Sequence, residues 1–170
     1  VGGKLGVDFQ SLKNIIGIFR EPNCVIVDTS FLNTLSEKEL RSGFAEVIKH
    51  CLIRDKDMFD RVSKNHWADN NWNEIVKHSI SIKSEVVSKD LKESGLRKIL
   101  NFGHTIGHAI ETTYLDKNNK LLHGEAIAIG MICESFIAYH HKKIEKYELE
   151  IISKYIFKVY NLPKLDFLDT

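Results

Sequence analysis

Two histidines four residues apart, His104 and His108 in NFGHTIGHAIE (101–111), have the spacing most suggestive of chemistry. On a helix they share one face, one turn apart. Such a pair can chelate one metal ion, or the two rings can divide two tasks between them. A third histidine, His123 in LLHGEA, follows within twenty residues, and all three lie beside glycines that let backbone approach closely. A zinc site used for catalysis ordinarily takes three protein ligands and keeps a fourth position open. Glu46 in FAEVIKH is the candidate carboxylate, because a free charge among Phe44, Ala45, Val47 and Ile48 is costly to bury. Lys49, three residues on, falls on the same side and reads as the partner in a surface ion pair. Lys4 in GGKLG lies in a loop whose amides could face an anion, although no P-loop pattern is present. Lys13, Asn14, Lys83, Arg97 and Asn101 are polar residues at the edges of apolar segments. Taken singly, each reads as a surface residue.

The elements that hold these residues follow from periodicity. Residues 1–6 read as a glycine loop. The β-branched runs 14–19 and 24–28 read as two strands, separated by the turn chemistry of REPN (20–23). Strand signals then vanish. Ser36 with Glu39 is a capping-box pattern, and Leu40, Phe44, Val47, Ile48, Cys51 and Leu52 recur with the helical period. Short helical patterns cover 56–63 and 72–89. The two-histidine segment forms a helix after SGLRKIL, and residues 116–120 form a loop. The stretch 123–142 reads as a nearly all-apolar central helix, and residues 144–159 as a last amphipathic helix ended near Pro163. About six helices after two strands make a mainly α chain.

Composition narrows the function classes. With 170 residues, 43 % of them apolar, the chain can bury a sizeable core. The net charge of +1 and the absence of a basic block argue against nucleic acid or an anionic membrane as partner. No apolar run reaches the ~20 residues of a membrane span. Cys24, Cys51 and Cys133 offer neither a disulfide framework nor a zinc knuckle, and read as buried free thiols of a reducing cytosol.

Read together, VGGKLGV, KNIIGIF, FAEVIKH, GLRKILNFGHTIGHAIE and LLHGEAIAIGM resemble 3-dehydroquinate synthases of the sugar-phosphate cyclase superfamily, in their carboxy-terminal part. The resemblance covers about residues 1–135 in order and spacing. It implies conversion of 3-deoxy-D-arabino-heptulosonate 7-phosphate to 3-dehydroquinate and phosphate, in the shikimate pathway, with NAD and zinc (or cobalt). It implies residues 1–28 as a remnant of a Rossmann-like nucleotide-binding domain and 29–170 as a helical metal- and substrate-binding domain. A cytoplasmic enzyme, homodimeric at full length, with a sugar-phosphate substrate and no nucleic acid or membrane partner, completes the expectation.

Carried over by motif, Glu46, His104 and His123 match the metal ligands, whereas His108 faces the substrate. Lys4, Lys13, Asn14 and the turn Phe31, Leu32, Asn33 and Thr34 match cofactor-side positions, with Lys4 and Asn14 also near substrate. Lys49, Lys83, Arg97 and Asn101 match residues around the substrate, and Glu93 matches an acid that relays protons. Sister cyclases, such as 2-deoxy-scyllo-inosose synthase, take substrates without a carboxylate and are expected to lack Arg97 and Lys83 in this combination.

Overall fold

The computed structural model describes residues 3–9, 12–114 and 121–162, with backbone alone at Asp8, Leu12, Lys13, Asn14 and Tyr114. The expected loop at 116–120 and the helix stop at Pro163 lie outside the described residues. The described chain is mainly helical: one antiparallel hairpin precedes six α-helices and three short 3-10 turns.

The hairpin pairs β1 (Lys4–Phe9) with β2 (Leu12–Phe19), in a register that sets Lys4 opposite Phe19 and Val7 opposite Ile16. This corrects two expectations. Lys4–Gly6 belong to a strand rather than a glycine loop, and residues 24–28 form no strand. A β-branched run becomes a strand only where a neighbour takes its backbone hydrogen bonds. Residues 24–28 have no such neighbour among the described residues, and Ile26 is 89 % exposed. Cys24 in the same stretch is exposed too, against the expectation of three buried thiols; Cys51 is buried and Cys133 half-buried.

The helices start where capping chemistry puts them. The Ser36 hydroxyl accepts the Glu39 N–H at 3.2 Å and opens α1 (Glu37–Arg54). Asp55 takes the Met58 N–H at 2.9 Å at the head of α2 (Lys56–Lys64), and Asn71 takes the Glu74 N–H at 3.3 Å at the head of α3 (Trp72–Lys89). α4 (His104–Tyr114), α5 (His123–His140) and α6 (Lys146–Tyr160) complete the body. α5 runs through the middle. Its residues Ala126 to Ile132 are all buried, and it packs against α1, α4 and α6. Phe44 and Ile48 of α1, Ile127, Met131 and Ile132 of α5, and Ile156 of α6 form the deepest part of the core. Each such side chain contributes about 1.5–3 kcal/mol through burial. Phe44 also meets the rings of Trp67 and Trp72 at 6.1 and 5.9 Å. The hydroxyl of Tyr155 donates to Val62 O at 3.1 Å and that of Tyr160 to Arg41 O at 2.9 Å, pinning α6 to α2 and α1. No described helix is long and apolar enough to cross a membrane.

Candidate active site

Three helices bring the conspicuous side chains to one place. Glu46 lies in the middle of α1, His104 is the first residue of α4, and His123 is the first residue of α5. One oxygen or nitrogen from each lies within 4.8 Å of those from the other two. His108 stands one turn along α4, with ring centres 5.2 Å from His104 and 5.9 Å from His123.

Local sequence explains this convergence. The N–H of Gly124 donates to Ser42 Oγ at 2.9 Å, and a Cβ at Gly124 would fall 1.9 Å from the Ser42 carbonyl oxygen. Ser42 is one helical turn before Glu46, so a residue without a side chain lets the head of α5 reach the ligand position on α1. Glu125 closes that head by accepting the Leu122 N–H at 2.8 Å. At the head of α4, Gly103 takes a left-handed φ of 79° and donates its N–H to Glu134 Oε2 of α5 at 2.8 Å. A carboxylate there also answers the positive end of the α4 dipole.

The polar atoms are poised for a cation. Glu46 Oε2 accepts Lys49 Nζ at 2.8 Å, while Glu46 Oε1 is buried, has no hydrogen-bond partner among the described residues and faces His104 Nε2 at 3.5 Å. Burial opposes ionisation of Glu46, but the charge and hydrogen bond of Lys49, with His104 and His50 beyond, hold the carboxyl below its ordinary range. Burial pushes His104 down to about 4, the charge of Lys49 adds to this, and Glu46 opposes it. The ring is thus neutral, the form that binds metal. Its Nδ1 lies 3.2 Å from Phe102 O, so a proton there donates to the carbonyl and leaves the Nε2 lone pair toward Glu46. A buried carboxylate oxygen without a donor, beside imidazole nitrogens, fits zinc or a similar ion. Lys49 is 3 % exposed, which corrects its reading as one half of a surface pair. Burial lowers its pKa, and Glu46 offsets this in part.

Other expected residues form further groups. Glu93 pairs with Lys4 and accepts a hydrogen bond from Asn101 Nδ2 at 2.6 Å. Burial raises its pKa, but Lys4 and Asn101 outweigh that and bring it down. Glu93 has a left-handed φ of 60°, a strained conformation for a side-chain-bearing residue. The turn around it is built by Asp90, whose carboxylate accepts the backbone N–H groups of Ser94, Gly95 and Arg97 at 3.0, 2.8 and 3.0 Å. Arg97 is buried; its Nη1 donates to Leu91 O at 2.8 Å and its guanidinium lies 5.9 Å over the Phe19 ring. Lys83, half-buried on α3, is near enough for its charge to disfavour protonation of Lys49. The 3-10 turn Thr29–Thr34 stands apart. Leu32 and Asn33 line a cavity of about 650 Å³ with Trp67 and Trp72, whereas Phe31 and Thr34 do not line it. Lys13 and Asn14 lie in β2, and their side chains fall outside what the structure describes. Sequence reasoning missed Glu111, buried against His123, and Glu134. Glu134, in an apolar stretch of α5, carries the signal that singled out Glu46, whereas Glu111, followed by two threonines near the end of α4, does not.

The family model described as 3-dehydroquinate synthase C-terminal matches residues 43–167, and that described as 3-dehydroquinate synthase N-terminal matches residues 1–42. The 3-dehydroquinate synthase of Acetivibrio thermocellus is 42 % identical over 174 residues, covering 99 % of this chain and 48 % of the relative. That of Geobacillus kaustophilus is 48 % identical over 143 residues, covering 81 % and 38 %. The chain therefore spans about half the length, or less, of the curated relatives it matches. Among solved structures, 2-epi-5-epi-valiolone synthase from Streptomyces hygroscopicus, with NAD+ and Zn2+ bound, superposes with a TM-score of 0.83 at 29 % identity, covering 96 % of this chain and 46 % of that one. A 2-deoxy-scyllo-inosose synthase complexed with carbaglucose-6-phosphate, NAD+ and Co2+ gives 0.80 at 29 % identity, covering 95 % and 44 %.

Proposed function

The chain belongs to the 3-dehydroquinate synthase family, and from that premise we propose that it supplies the helical metal- and substrate-binding part of an enzyme making 3-dehydroquinate and phosphate from 3-deoxy-D-arabino-heptulosonate 7-phosphate, in the shikimate pathway. The enzyme is a phosphate-eliminating carbon–oxygen lyase, cytoplasmic and homodimeric at full length. One observation carries the proposal: Glu46, His104 and His123 converge while Glu46 Oε1 lacks a donor. These three residues are assigned to zinc, with cobalt as its substitute, and NAD+ is the proposed cofactor. The NAD+ and Zn2+ of the valiolone synthase, and the NAD+ and Co2+ of the inosose synthase, support both. Zinc bound there supplies Lewis acidity toward the substrate's hydroxyls.

The chain's own groups do the rest. Lys4, Lys13, Asn14 and the turn from Phe31 to Thr34 are assigned to the cofactor side. Lys4 and Lys83 offer the cations that a departing phosphate dianion needs. His108, one turn from His104, is assigned to moving protons at the substrate, the commonest catalytic task of an imidazole. Glu93, with Asn101 hydrogen-bonded to it, is assigned to the proton relay, and Lys49 orients Glu46 and faces the hydroxyls. Arg97 offers the planar fork that a carboxylate fits.

A sister cyclase activity is the second reading, favoured by the likeness to the valiolone and inosose synthases. The test uses the full-length protein with the heptulosonate phosphate and with carboxylate-free sugar phosphates. Formation of dehydroquinate from the first alone is expected, and turnover of only a carboxylate-free substrate overturns the proposal. Arg97→Ala is expected to weaken the carboxylate-bearing substrate by ~1.5–3 kcal/mol and a carboxylate-free analogue much less. Equal losses would make Arg97 structural.

A further inference from the structure

α4 carries a third ionisable group on the stripe that bears His104 and His108. Glu111 lies seven residues from His104, two turns along the same face. It is 7 % exposed, and carboxylates are seldom buried so far without a specific partner. Its Oε2 lies 3.2 Å from Nδ1 of His123. Ligand atoms of Glu111, His108 and His123 all fall within 4.8 Å of one another, so this carboxylate sits inside the imidazole cluster.

An imidazole that binds an ion through one nitrogen carries its proton on the other. What accepts that proton fixes the tautomer and the plane of the ring. His104 has such an acceptor in the Phe102 carbonyl. His123 stands at the first position of α5 with its side chain 45 % exposed, so packing alone does not hold its ring. We propose that Glu111 is the positioning residue of the metal site: it accepts the Nδ1 proton of His123 and so presents Nε2 to the ion shared with Glu46 and His104. This rests on the assignment of His123 as a ligand made above. An outer partner that takes this proton orients the ring and raises the basicity of the nitrogen that binds.

Co2+ binding to the full-length protein tests this, by chelator competition on Glu111→Leu, Glu111→Gln and His123→Ala. Glu111→Leu is expected to weaken Co2+ binding about 10–100-fold, and Glu111→Gln, whose amide oxygen can still accept, less. Nitrogen-15 spectra of the metal-free protein provide a readout that a purely structural role leaves still. The His123 signal, identified by its loss in His123→Ala, should show Nδ1–H in the unaltered protein and lose that fixed tautomer in Glu111→Leu. Should the Leu variant not fold, Glu111→Ala, which likewise removes the acceptor, decides on both readouts. Unchanged Co2+ affinity, an unchanged tautomer, or two Co2+ ions per chain with one held by Glu111 and His108 overturns the proposal. If His123→Ala keeps full Co2+ affinity, the ligand assignment itself is wrong and Glu111 falls with it; loss in His123→Ala without loss at Glu111 sinks only the positioning role.

Discussion

His104 and His108 have the same side chain one turn apart on one helix, but His104 has Glu46 Oε1 3.5 Å from its Nε2 and the Phe102 carbonyl beside its Nδ1, and groups with Glu46 and His123, whereas His108 groups with Glu111 and His123. That difference in surroundings assigns the two rings different work. In the full-length protein, Glu46→Ala, His104→Ala and His123→Ala are each expected to lose bound zinc, and His108→Ala to keep it while losing activity. Metal content of the purified variants separates this from a chelate by the two α4 histidines, in which His108→Ala loses zinc and His123→Ala keeps it. A different histidine should govern acid stability. His50 is 3 % exposed, and neither ring nitrogen has a hydrogen-bond partner among the described residues. Burial pushes its pKa down to about 4; Lys49 and, more weakly, Lys83 and His78 add to this, and Glu46 opposes it. The unfolded chain, with an imidazole near 6.5, therefore takes up the proton first as pH falls. Stability is full above about 6.5 and declines toward about 4, by up to about 3 kcal/mol for one such group. His104, also pushed to about 4, draws on the same window when no metal is bound. His50→Phe is thus expected to remove roughly half of the loss between pH 7 and pH 5 in urea unfolding of metal-free protein. An unaltered pH slope would place the loss on other groups.

At the scale of elements, the site depends on how closely helices approach. The Cβ of an alanine at Gly124 would sit 1.9 Å from the Ser42 carbonyl oxygen, so α5 must shift away from α1 to admit it. Gly124→Ala is expected to cost about 1–3 kcal/mol. It should also weaken zinc binding more than Val159→Ala, an internal change on α6, which supplies none of the proposed ligands. Retained zinc affinity in Gly124→Ala would show that His123 does not depend on this contact. Much of this frame was legible in sequence, because helix periodicity and caps are local signals: Ser36, the helical period over 72–89 and the run Ala126 to Ile132 announce their elements without help from the rest of the chain. The strand at 14–19 was read correctly within β2, but residues 4–6 and 24–28 were misread for the opposite reason. Whether Leu5 or Ile26 joins a ladder depends on a partner elsewhere, and a β-branched run carries no record of one. The convergence of Glu46, His104 and His123 was legible through motif resemblance, since nothing in the local sequence of Glu46 says that α4 and α5 come to meet it. Glu111 escaped notice because one glutamate near the end of a helix reads as solvated until the opposite histidine is in place.

On the scale of the whole molecule, the chain divides into a helical body with a deep core and a hairpin without one. Leu5, Val7 and Phe9 of β1 and Ile15, Ile16, Ile18 and Phe19 of β2 are all exposed. Adjacent residues such as Ile15 and Ile16 point to opposite faces, so both faces of the ribbon are apolar. Strands of that pattern belong to sheets covered on both sides, and a two-stranded hairpin alone is marginal in water. Among the described residues, the hairpin meets the body through the Lys4–Glu93 ion pair and the Phe19 ring beneath Arg97. Both involve residues assigned to the site, so order in the hairpin is a condition for Lys4 and Glu93 to work together. Hydrogen exchange can measure that order. In the 170-residue chain, the amides of Val7 and Ile16 are expected to exchange orders of magnitude faster than those of Ile48 and Ile127 in the core helices. In a protein as long as the curated relatives, which this chain matches over about half their length, the hairpin amides should become protected. Protection of the hairpin in the 170-residue chain equal to that of α5 would show that its contacts with Glu93 and Arg97 suffice, and that its apolar faces need no cover.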